Sequence, residues 1–141
     1  MGWQLLAVIS AVAAGLTAIF AKVGLADVPP HLGNAVRTVI VLALSIGILW
    51  WSGEHQKAST LTARAWLVLA LSGIATAVSW VAYFKALSMT AATPVNAIDK
   101  ASLLVTMVLS IVFLGEHLSW RAGVGVVLVV TGSVIASAAP R

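Results

Sequence analysis

The stretch VNAIDKASLLVTMVLSIVFLGE, Val95 to Glu116, places an acid and a base side by side in an otherwise hydrocarbon run. Asp99 and Lys100 can pair with, steer or hydrogen-bond a charged partner. Asn96, Asp99, Leu103, Thr106 and Ser110 recur on one side of the same predicted helix, which makes a plausible polar lining. Upstream, Thr76, Trp80, Tyr83, Phe84 and Leu87 form an aromatic stripe at helical spacing, and Lys22, Arg37 and Lys85 stand at or just inside the ends of apolar runs. These residue types suit stacking, ion pairing and hydrogen bonding to a small solute. Each also has a plainer reading. Long cationic side chains near a lipid boundary snorkel, aromatic stripes pack helices together, and Thr106 and Ser110 can bond their own backbone carbonyls.

Bond-making chemistry finds no support. There is no H-E-x-x-H, no P-loop and no glycine-rich nucleotide fingerprint. His31, His55 and His117 fall in separate loops, and there are no cysteines. The residues therefore predict no enzyme, no metal site and no cofactor. The eight Lys and Arg are scattered, which argues against a nucleic-acid face.

The elements that must carry these residues follow from composition. Of 141 residues, 61% are hydrophobic and 9% charged, against about 25% charged in a soluble domain. Mean hydropathy is +1.07. Such a chain belongs in a lipid bilayer. A helix crosses the hydrocarbon core with about 20 apolar residues, and five runs qualify: about Trp3 to Val23, Gly33 to Trp51, Ala65 to Leu87, Pro94 to Leu114 and Trp120 to Ala138. The expected fold is all-α, a five-helix transmembrane bundle forming a single domain over residues 1–141. The first run is too long, and lacks the charges, for a cleaved leader.

Punctuation supports these limits. Asp27–His31 (DVPPH) separates the first two helices, and Ser52–Thr62 is the longest polar loop. Thr93 reads as an N-cap ahead of Pro94, Gly115 as a left-handed C-cap and Ser119 as an N-cap. Five of the six tryptophans fall near helix ends, where the interface favours them; Trp80 does not. Basic residues divide between the two faces, Lys57, Arg64 and Arg121 against Lys22, Arg37, Lys85, Lys100 and Arg141. Most of the second group lies inside helix ends, so the count leaves orientation undecided and permits insertion both ways round.

Lys100 lies about 9 Å along its helix from Pro94 at 1.5 Å per residue. A charge at mid-bilayer costs about 2.5–3.5 kcal/mol on insertion scales, so Asp99 and Lys100 are expected to face a polar interior. Neighbouring residues on a helix point apart, which makes Lys85 or Lys22 the expected counter-charge for Asp99. Ala11, Ala14, Gly15 and Ala18, and less regularly Gly125, Thr131, Gly132, Ala136 and Ser137, form smooth faces suited to close helix contact.

The segment from Ser79 to Ala136, with its YFKAL, AIDKAS and FLGEHLS signals, resembles the EamA-like branch of the drug/metabolite transporter superfamily, and AIFAKVGL (Ala18–Leu25) and NAVRTVIVLA (Asn34–Ala43) fit the same branch. Typical members have ten helices in two inverted five-helix repeats; this chain supplies one. The resemblance implies an inner-membrane subunit of a bacterial or archaeal cell that moves a small metabolite by alternating access as an antiparallel homodimer. A heteromeric half-transporter or a non-transporting partner subunit is the alternative. The four-helix small multidrug-resistance relatives depend on an acidic residue in their first helix; here that helix has none. With Lys22, Arg37, Lys85 and Lys100 near the mouth, the expected solutes are anions or zwitterions. Expected cavity residues are Trp80, Tyr83, Asn96, Asp99, Lys100 and Thr106, and Glu116 is expected to act in gating or loop structure.

Overall fold

Residues 2–138 are described by a computed structural model of the chain. All five expected spans are present, as Trp3–Gly24, Pro30–Trp51, Ala63–Met89, Ala92–Leu114 and Trp120–Ala138. The first three are single helices, α1 (Trp3–Gly24), α2 (Pro30–Trp51) and α3 (Ala63–Met89). The fourth is two, α4 (Ala92–Asp99) and α5 (Ser102–Leu114), and the fifth is α6 (Trp120–Ala138). There is no strand among the described residues. Arg141, counted above with one basic face, lies outside them.

Local chemistry accounts for the helix ends. α2 begins three residues before the expected Gly33: Pro29 is the extended cap, at φ −55° and ψ 138°, and Pro30 is the first helical residue. A proline there has its φ already set and lacks only an N–H that would have no helical partner. The DVPPH stretch thus both separates the helices and starts the second. α3 begins two residues early because Thr62 caps it, its Oγ1 accepting from the Ala65 N–H at 3.2 Å. The expected Thr93 cap is not formed. The helix starts at Ala92 behind an extended Ala91, and Pro94 sits in the first turn, where amide protons need no helical acceptor. Gly115 does close α5 in the left-handed region, at φ 65°, and the Ser119 Oγ accepts from the Ala122 N–H at 3.3 Å. The polar loop after α2 holds a short 3₁₀ helix, Glu54–Thr60, whose His55 stacks on Trp50 with centroids 4.5 Å apart.

The chain divides into two compact units. One comprises residues up to Ile19 with those from Met89 onward; the other is Phe20–Ser88. In the first, α4 and α5 pack against α6, and Val95 is buried. In the second, Leu25, Phe84 and Leu87 are buried, with Leu87 0% exposed. No polar or charged residue is buried among the described residues. Large apolar side chains are exposed along every span, such as Phe20, Val39, Leu67, Phe113 and Leu128. A monomer in water could not sustain so much open hydrocarbon surface, whereas acyl chains solvate it.

Candidate functional site

The fourth span changes its backbone pairing where its charges lie. The Lys100 N–H is shared between the Asn96 and Ala97 carbonyls at 3.3 and 3.2 Å, and the Ala101 N–H reaches only three residues back, to Ile98, at 2.9 Å. Leu103 and Leu104 likewise donate to Lys100 and Ala101, at 3.1 and 3.0 Å. Lys100 has φ −64° and ψ −14°, and Ala101 φ −61° and ψ −19°. This is a 3₁₀ tightening within a membrane span, a feature that often marks a hinge or strain. Asp99 ends α4, Lys100 follows it, and both side chains are exposed. No proline or glycine causes the interruption. Asn96, half-buried, donates from Nδ2 to the Ala92 carbonyl at 3.2 Å. Thr106 lies exposed on α5, and Ser110 bonds its own backbone, donating to the Met107 carbonyl at 3.1 Å.

The other candidates lie within Phe20–Ser88. Lys22, weighed as a counter-charge for Asp99, is engaged elsewhere: its Nζ donates to the Leu87 carbonyl at 2.7 Å. Leu87 lies in the last turn of α3, where carbonyls lack helical donors and the helix dipole favours a cation. Lys22 is thus a cap for a neighbouring helix. Arg37 is placed differently. Its guanidinium carbon lies 3.5 Å from the centroid of the Trp80 ring and 6.0 Å from that of Phe84. Trp80 meets Tyr83 edge-on at 5.3 Å and Phe84 at a tilt at 5.9 Å. The aromatic stripe of α3 therefore acts as a wall for a cation of α2. The face of Trp80 expected to stack on a ligand is in contact with this chain's own arginine.

Beside Arg37 is a cavity of about 420 Å³, lined by the end of α1, the following turn, the first half of α2 and Phe84. Gly33 shapes its rim, since a Cβ there would come within 2.8 Å of Leu25 Cδ2. Phe84 belonged to the expected stripe but not to the expected site, and Gly33 and Leu25 carried no functional signal: small and aliphatic residues look alike in every span. Lys85 and His31 line a second, more open apolar groove. Glu116 is exposed between α5 and α6, and its backbone N–H donates to the Ser110 carbonyl at 3.2 Å, part of the α5 terminus.

This combination contains no group of three or more His, Asp or Glu able to hold a metal among the described residues. The Phe20–Ser88 unit offers cations and aromatic faces, and the other unit a distorted span.

The EamA-like transporter family model matches residues 1–138. A protein of Sinorhizobium sp, described as an uncharacterized transporter in cobO 3'region, is 41% identical over 133 residues, covering 94% of each chain. No solved structure matches. The resemblance read from YFKAL, AIDKAS and FLGEHLS therefore holds: the chain belongs to the EamA-like transporter family of membrane transporters.

Proposed function

We propose that the chain is a single five-helix domain forming half of a transporter, and that two copies inserted in opposite senses carry a small solute across a bacterial or archaeal inner membrane by alternating access. The interrupted fourth span is the observation that supports this most. Transporters built from inverted repeats bind solute near mid-membrane at discontinuous helices, where freed backbone groups and helix ends meet the ligand. Here the 3₁₀ step falls at Lys100 and Ala101, directly after Asp99, and the charges of Asp99 and Lys100 are too costly to leave facing lipid. Asn96 and Thr106, in the unit that holds α4 to α6, and Trp80, Tyr83, Arg37 and Lys85, in the Phe20–Ser88 unit, are the further candidate solute contacts.

A partner copy fits two further facts. The basic residues favour neither orientation, and a Cβ at Gly15, Gly125 or Gly132 would meet nothing within 4 Å in this chain. Their smooth faces are open to another helix.

The absence of cysteine makes the test direct. Lys57→Cys, in the 3₁₀ helix after α2, is treated with a membrane-impermeant thiol reagent from one side and then the other, alongside solute flux in liposomes. The antiparallel pair predicts labelling from both sides. Labelling from one side only, with flux intact, would overturn it. Absent flux together with a stable foreign partner would favour the non-transporting or heteromeric alternative.

A further inference from the structure

Lys22 and Arg37 are two cations of the same unit with opposite fates. The ammonium of Lys22 has an acceptor, the Leu87 carbonyl. The guanidinium of Arg37 has aromatic faces and, among the described residues, no hydrogen-bond acceptor or ion-pair partner. A guanidinium carries five N–H donors in a planar fork. Stacking on Trp80 satisfies its face and leaves its edge unmet. A half-buried arginine in a membrane span without a carboxylate is an incomplete arrangement.

The adjoining cavity indicates what would complete it. Arg37 is the one charged residue among those that line its roughly 420 Å³, a volume within the range of small-molecule sites. Phe20, Leu25, Leu32, Val36, Ile40 and Phe84 supply most of the remaining wall, and no acidic residue lines it. The site therefore offers one planar cationic fork, suited to two parallel bonds to a carboxylate, and room for an uncharged hydrocarbon body. A zwitterion would bring an ammonium into a wall with no counter-charge, and burying an unpaired ion is strongly unfavourable. A cationic solute would meet Arg37 directly.

We infer that the α1–α2 cavity binds a monoanion whose single anionic group sits on Arg37 and whose body is apolar, an aryl- or alkyl-carboxylate. This deepens the transporter reading by naming the substrate class at Arg37, and it selects the anion from the anion-or-zwitterion alternatives. A free organic acid shares its single negative charge and apolar body with an anionic phospholipid, whose charge is on a phosphate diester.

The test is binding to purified protein in nanodiscs, read by calorimetry. In phosphatidylcholine discs, phenylacetate should bind saturably, and phenylacetamide, phenethylamine and phenylalanine about tenfold or more weakly, as expected for loss of a charge-assisted hydrogen bond or addition of an unpaired charge. Arg37→Gln should weaken phenylacetate about 10- to 100-fold, and Arg37→Lys should recover part of the loss, since lysine restores charge without the fork. In discs containing phosphatidylglycerol, unchanged phenylacetate affinity assigns the site to a free acid; competition assigns it to the lipid anion. Equal binding of the amide, tighter binding of the amine or of phenylalanine, unaltered binding by a folded Arg37→Gln protein, or no saturable phenylacetate binding would overturn the inference. The wild-type probe series stands even if the variant fails to fold. Binding is read without flux or topology, so its failure leaves the antiparallel transporter intact, and single-sided insertion leaves the binding result intact.

Discussion

The Arg37 corner and the Lys100 interruption accommodate membrane-embedded charge in different ways. At the corner, rigid groups do it: Trp80 and Phe84 flank the guanidinium, Phe84 and Leu87 are buried, and Lys22 secures the end of α3 through the Leu87 carbonyl. At the interruption, the backbone does it. α-Helical pairing gives way to three-residue bonding, and Asp99 and Lys100 stand exposed. A guanidinium on an aromatic wall is preorganised to hold a ligand. A span that has lost its regular ladder is prepared to move. Under the proposed function the first region is the binding element and the second the hinge.

The largest expected difference is in stability. Phe84→Ala should lower resistance to unfolding in mixed micelles by about 3–5 kcal/mol, the usual result of emptying a buried aromatic position. Val112→Ala, on the exposed α5, should change it by about 0.5 kcal/mol or less. Similar losses at both positions would erase the distinction between a packed corner and an open span.

Next is the role of Lys22. Lys22→Met removes a charged donor from the Leu87 carbonyl and should cost about 1–2 kcal/mol of stability. It should leave the affinity for phenylacetate unchanged while Arg37→Gln lowers it. A drop in anion affinity with Lys22→Met would mean that the two cations act as one site.

Smaller effects are expected at the interruption. Asp99→Asn and Lys100→Gln keep a polar side chain of similar size at each position and should leave the protein folded, yet reduce solute flux. Unchanged flux in both variants would remove these residues from the transport path. Without any mutation, the amides of residues 100–104 should exchange with solvent faster than those of residues 108–112, because short-range, shared bonds open more readily. Equal protection would count against a hinge.

Much of this was readable in advance, and the rest was hidden for identifiable reasons. The five spans, the Gly115 and Ser119 caps and the family signals all depend on residues close in sequence. Pro30 and Thr62 were visible too, but one proline looked only like a helix breaker and Thr62 like part of a polar loop. The candidate site was less legible. Asp99 and Lys100 announce themselves by being charged among hydrocarbon, yet Ala101 gives no sign that the helix tightens there. Arg37 looked like a snorkelling cation, since nothing near it in sequence identifies Trp80 as its wall.

By itself the sequence determined which segments enter the bilayer, because the free energy of moving a side chain from water to hydrocarbon accumulates along a run of neighbours. Only the tertiary structure decided that Lys22 reaches a carbonyl 65 residues away, that Arg37 stacks on Trp80, and that a cavity opens beside it. Those outcomes depend on which helix faces meet, and contacts between distant segments are set by packing in three dimensions.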